Sequence, residues 1–148
     1  TFKMKISLKI VASVLFVGAL SVIGCKKDKP TPTELLTTGL CWQMTLLEGY
    51  DTANNIWVAV SIDDCAADNC FAFKTDQSFT VNEGTAKCDP DDPQIAEGSW
   101  SISEDGKKLS LSEDSSTDVG TIVELSKGKL VYESTFDEEK IRITMHAN

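Results

Sequence analysis

Lys140-Ile141-Arg142-Ile143-Thr144-Met145-His146 is the stretch from which the fold can be read: apolar residues take every second position and polar ones the positions between. A period of two belongs to a half-buried β-strand, whose successive side chains point to opposite faces. The same period recurs towards the N-terminus. Leu40, Trp42, Met44 and Leu46 alternate with Cys41, Gln43 and Thr45, and Ile56, Val58, Val60 and Ile62 alternate with Trp57, Ala59 and Ser61 after the turn-like Asp51-Thr52-Ala53-Asn54-Asn55. Phe71 and Phe73, then Phe79 and Val81, flank Lys74-Thr75-Asp76-Gln77-Ser78 as the arms of a tight hairpin. Trp100 with Ile102 is joined to Leu109 with Leu111 by Glu104-Asp105-Gly106-Lys107, and the runs 119–125 and 129–133 meet at Ser126-Lys127-Gly128. Eight or nine short strands, and no amphipathic helix of convincing length, predict an all-β fold: an antiparallel meander closed into a barrel or folded as a sandwich. Short sequential hairpins favour up-and-down connectivity.

The chain begins differently. Lys3, Lys5 and Lys9 precede an apolar run that ends at Gly24, and a polar stretch with Pro30 and Pro32 follows. A basic n-region, an apolar h-region and a small residue before the cut make a secretory signal. Its apolar run of about 14 residues is shorter than the ~20 needed to span a bilayer. Val22-Ile23-Gly24-Cys25 resembles the lipobox of bacterial lipoproteins, which implies a diacylglyceryl thioether on Cys25 and cleavage in front of it. The expected division is therefore a lipoprotein signal peptide over residues 1–24, a lipidated cysteine and extended tether over 25–34, and one folded domain over 35–148. On this reading the protein is anchored to the outer membrane of the cell envelope, and the mostly basic Lys26-Lys27-Asp28-Lys29 points to the periplasmic face.

Removal of residues 1–24 would take three of the 14 basic residues and none of the 23 acidic ones, leaving a net charge of about −12. Such a charge repels nucleic acid, whose binding needs Lys and Arg to release counterions. Nucleic acid is thus excluded as a partner. Besides Cys25 there are Cys41, Cys65, Cys70 and Cys88, an even number that in an oxidising compartment predicts two disulfides among three possible pairings. Zinc is a poor alternative, because Cys65-x4-Cys70 is wider than the usual spacing and the one histidine lies near the chain end.

No catalytic constellation is present. His146, the sole imidazole, falls on the polar side of its strand, which argues against a His-dependent nucleophile or proton shuttle. Adjacent carboxylates such as Glu138-Glu139 or Asp91-Asp92 point to opposite faces if they lie on a strand and read as solvated turns. The loop Asp89-Pro90-Asp91-Asp92-Pro93 has oxygen ligands for calcium but no EF-hand spacing, and two prolines also suit a rigid surface turn. No enzyme, cofactor or metal is expected.

Gly39-Leu40-Cys41-Trp42 opening the first strand, Asp64-Cys65 ahead of an aromatic strand, Glu83-Gly84-Thr85-Ala86-Lys87-Cys88-Asp89-Pro90, and Gly98-Ser99-Trp100 together resemble the lipocalin-like domains of bacterial envelope lipoproteins. The resemblance spans roughly residues 35–145. It implies a small antiparallel up-and-down β-barrel of about eight strands and a cysteine pair at Cys65 and Cys88. Cys41 and Cys70 are not part of that pattern; by alternation both lie on the outward face, one step out of phase with Trp42 and Phe71, where a bridge between them is geometrically possible.

A barrel of eight strands is just wide enough to be filled by its own side chains or to hold one small ligand. Alternation turns Trp42, Met44, Phe71, Phe73, Phe79, Trp100 and Tyr132 inward, joined by Leu46, Ile102, Leu109, Leu111, Leu130, Ile141 and Ile143. Trp42, Met44, Phe73, Phe79, Trp100 and Tyr132 are the candidate ligand-binding residues if a cavity remains. Two functions stay open: a lipid-anchored monomer that binds a small apolar ligand, or a packed barrel that contacts an envelope protein or glycan. Trp57, opposite the aliphatic row of its strand, is either a surface contact or shielded by the acidic loop.

Overall fold

The computed structural model describes residues 29–148; the expected signal peptide and its lipidation site, Cys25, lie outside the described residues. The alternating runs pair in sequence order as antiparallel neighbours. The strands are β1 (Trp42–Asp51), β2 (Ile56–Val60), β3 (Cys70–Phe73), β4 (Ser78–Asn82), β5 (Ile95–Ile102), β6 (Lys108–Glu113), β7 (Ser116–Ser126), β8 (Lys129–Phe136) and β9 (Glu139–Ala147). From β3 to β9 each strand pairs with the next, and β9 returns to β1 along Trp42–Gly49, so that eight strands close a barrel.

Both β2 and β3 lie on the edge of β1 opposite β9. β3 meets it at the single pair Trp42↔Phe71, and β2 further along, from Leu47↔Val60 to Asp51↔Ile56. Between them the chain leaves the wall through a short helix, α2 (Asp64–Ala67). The wall is therefore complete at one end and carries the β1–β2 hairpin as an overhang at the other.

The complete end is plugged by a helix, α1 (Pro32–Thr37), whose first three residues fall where the sequence reading expects extended tether. Local chemistry explains it. The Thr31 hydroxyl accepts from the Glu34 amide while the Glu34 carboxylate accepts from the Thr31 amide, a reciprocal capping box, and Pro32 at the first helical position loses no hydrogen bond. Leu36 from this helix is fully buried, and the Trp42 indole N–H donates to its carbonyl at 2.9 Å.

Leu46 is a second correction. A bulge between Met44 and Leu46 shifts the register against β9, so Met44 pairs with Met145 but Leu46 pairs with Thr144. One inserted residue reverses the faces beyond it. Leu47 joins the inward row opposite Ile143, and Leu46 is 38% exposed. Leu40 precedes the strand and is exposed.

Candidate ligand-binding site

The barrel interior is an aromatic and aliphatic core made of Trp42, Phe73, Phe79, Trp100, Leu109, Leu130, Tyr132 and Met145, with Leu36 at its base. Phe73 stands edge-on to Trp100 and tilted to Phe79, with centroids 6.0 Å apart in both pairs, within the favoured range for rings. Each indole has a partner: Trp42 as above, and Trp100 N–H shared between the carbonyls of Lys74 and Ser78 at 3.1 and 3.0 Å. Gly98 and Gly120 let this packing close. A Cβ at Gly98 would collide with the Phe79 ring, and one at Gly120 with the Tyr132 ring and the Glu133 carbonyl. The strands themselves thus make room for the two rings.

Of the six residues expected to hold a ligand, Trp42, Phe73, Phe79, Trp100 and Tyr132 are at most 4% exposed within this core. Met44 is half-buried beside Met145. Large rings, fitted against inward glycines, fill the volume that a ligand would need. Space remains at the other end.

The loops 52–55, 83–94, 114–115 and 137–138 surround the open end, as strand direction requires. One cleft there, about 400 Å³, has a floor of Phe71, Val81 and Ala96, all packed against the core, with Pro93 at its side. These residues share a face, because Phe71 pairs with Val81 and Val81 with Ala96. A larger cleft, about 580 Å³, lies under the overhang and is lined by Gly49, Val58 and Val60 with residues 138–140 of the β8–β9 hairpin. None of its lining residues belongs to the core. The first cleft is the one that reaches into the barrel, and neither is lined by the five buried candidate residues.

The wall of that cleft is fixed by cross-links. Cys65 of α2 is bonded to Cys88 of the β4–β5 loop, and Cys41 to Cys70 across the β1–β3 seam, with Cα separations of 5.1 and 5.2 Å. Asp68 adds a non-covalent tie, accepting from the Thr85 hydroxyl at 2.6 Å and the Thr85 amide at 2.7 Å. Those bonds to the charged form hold its carboxyl below the ordinary aspartate value. Gly84 has φ +68°, a left-handed turn beside Asp68 where a Cβ would strike the carboxylate.

Polar groups enter the barrel from the open end. Glu113 continues the inward row Leu109 and Leu111 by strand parity, and Asp118, paired with Leu111, also faces in. The Tyr132 hydroxyl donates to Asp118 at 2.6 Å, and the Ser134 hydroxyl donates to its other oxygen. Burial first, and then this carboxylate, push the Tyr132 phenol well above the usual range, so it remains a donor. The signal for Glu113 was an acidic side chain in phase with Leu109 and Leu111; Asp118 is out of phase with Val119 and Val123, which the structure leaves exposed.

A family model described as a lipocalin-like domain matches residues 38–132. The chain belongs to this lipocalin-like family. The match runs from the turn before β1 to Tyr132 in β8, and β9, which closes this lipocalin-like barrel against β1, follows it. A search of curated proteins found no match.

Trp57 lies on the outer face of the lipocalin-like barrel. Its ring is 5.0 Å from that of Tyr50, and the Arg142 guanidinium stacks over it at 4.1 Å while pairing with Glu133 at 2.6 Å and Glu48 at 3.8 Å. The indole is half-buried in this network, which staples the overhang to the wall.

Proposed function

We propose that the protein is a lipid-anchored, non-catalytic lipoprotein of the bacterial envelope whose barrel takes up a small, largely apolar ligand at its open end. The observation that carries this reading is the asymmetry of the barrel: one end is filled and plugged by Leu36, while the other opens into a cleft floored by Phe71, Val81 and Ala96. Ligand sites of small barrels lie at their mouths, apolar with a few polar groups. The described chain enters at the plugged end, so an anchor on Cys25 would leave the mouth facing away from the membrane. In this account residues 1–24 are the signal, and the protein sits on the periplasmic face of the outer membrane.

Native mass spectrometry of protein purified from membranes tests the binding function. A co-purifying small molecule is expected with the wild type and lost with Ala96→Trp, which fills the cleft. No bound mass in the wild type, or the same mass in both proteins, contradicts the proposal.

A second reading, a contact module for another envelope protein, is favoured by β2. Among the described residues this strand pairs only with β1, and Ile56, Val58 and Val60 are 52, 44 and 46% exposed. An apolar edge strand is a template for a partner strand. Hydrogen exchange in envelope extract would then show amides 56–60 protected.

A further inference from the structure

The reading of the open-end cleft as a ligand site leaves the chemistry of the ligand unstated. We infer that this ligand is a cationic amphiphile, an apolar chain or ring system ending in an ammonium or guanidinium head.

Glu83, Asp92, Glu113 and Asp114 line the cleft together with its apolar floor, and no basic residue does. Acidic charge also gathers at this end of the barrel. Ten of the 23 acidic residues lie in or beside its four loops, at 51–56, 83–95, 113–116 and 136–140, against two lysines. At the plugged end, residues 74–77, 103–108, 126–129 and α1 hold four acidic residues and five lysines. The excess negative charge of the chain is thus concentrated at the mouth.

Of the two lysines at the open end, only Lys87 approaches the cleft, on its Asp92 side, and one ammonium leaves the four carboxylates in excess. The Lys87 ammonium donates to the backbone carbonyls of Pro90 and Asp92 within its own loop, and the Lys140 ammonium sits over the outer-face Tyr50 ring, 5.5 Å from its centroid. A cleft with walls of low polarity and charges of one sign focuses the field, concentrating counter-charged ligands and repelling like-charged ones. Burial of the tail contributes roughly fourfold in affinity per methylene whatever the head. The head therefore decides between ligands of one tail.

The test uses octylammonium, octan-1-ol and octanoate, one tail with three heads. Each is titrated calorimetrically into the membrane-purified protein in lipid nanodiscs, with empty nanodiscs as the blank. Several partly screened carboxylates, each contributing a factor of up to about five, predict that octylammonium binds about tenfold or more tightly than octanol and that octanoate binds more weakly than either. The ammonium preference should shrink as salt is raised. Glu113→Gln with Asp114→Asn should bring the ammonium-to-alcohol ratio towards one and leave octanol affinity unchanged. Both positions are exposed, and Asn tolerates the φ of +49° at residue 114, so the variant should keep the wild-type circular dichroism spectrum.

Octanoate binding as tightly as octylammonium, or an unchanged ratio in the double variant, overturns the inference while leaving the cleft a ligand site. Absence of binding by all three overturns the ligand-site reading as well.

Discussion

Trp42→Ala should be among the most damaging single substitutions in this domain, because Trp42 joins three parts of the fold at once. It is fully buried, it forms the one residue pair between β1 and β3, it lies opposite Ala147 of the closing strand, and its indole N–H holds the Leu36 carbonyl of the plug. Truncating a buried Trp to Ala costs about 3–5 kcal/mol. Losing the donor to a buried carbonyl belongs to the upper part of that range, since such a bond contributes about 1 kcal/mol net. For a domain of this size, each kcal/mol lowers Tm by roughly 3–5 °C, so the fall should be on the order of 10–25 °C. Trp42→Phe, which keeps an aromatic ring but not the N–H, should cost about 1–2 kcal/mol. Thermal and urea unfolding followed by near-ultraviolet circular dichroism measure both. A Trp42→Ala midpoint within about 3 °C of wild type would refute the placement of this ring and, with it, the plugged end.

Replacing Cys65 and Cys88 together by Ser should cost about 3–4 kcal/mol in the chain-entropy treatment of a loop this long, and non-reducing peptide mapping of the wild type should show Cys65 linked to Cys88 and Cys41 to Cys70. Leu46→Asp should change stability by less than about 0.5 kcal/mol, whereas Leu47→Asp should cost more than about 2 kcal/mol; equal effects in urea unfolding would contradict the bulge. The Asp68 carboxyl is depressed when folded, so the stability it contributes is present above its unfolded value of 3.8 and lost as pH falls through the folded one. Amide exchange in α2 and the β4–β5 loop should accelerate as pH drops below that value, after correction for intrinsic rates, and Asp68→Asn should flatten the profile. Cys25→Ala should abolish membrane partitioning in cell fractionation; an unchanged membrane fraction would count against lipid anchoring.

Alternation alone carried much of the fold. The clean periods around Trp42, Trp100, Leu109 and Ile143 give strands whose inward faces match the core, because a period of two survives wherever no residue is inserted. It failed at Thr45, where the bulge reverses parity and no local signal marks the insertion. α1 is shorter than two full helical turns, too short for a periodic signature, although Thr31-Pro32-Thr33-Glu34 carries the chemistry of a helix start. The aliphatic row of β2 follows the expected alternation yet stays exposed, since burial needs a neighbour and β3 joins the wall only further along. The candidate site was the least legible part. Large inward aromatics look the same in sequence whether they line a cavity or fill it, and only the close fit of Phe79 against Gly98 and Tyr132 against Gly120 distinguishes the two. Glu113 could have been recognised from its parity with Leu109 and Leu111, whereas Asp118 alternates against Val119 and Val123, an aliphatic pair that the structure leaves exposed; which end of the barrel is open depends on hairpin stagger and on the plug.

The most direct test of a ligand site at the open end is chemical-shift mapping of isotope-labelled protein titrated with octan-1-ol. The account predicts that the amides of Phe71, Val81, Ala96 and Glu113 shift in a saturable manner, while those of Leu36, Trp42 and Leu109 stay in place. Shifts confined to the plugged end, or none at all beyond the solvent effect, would contradict it.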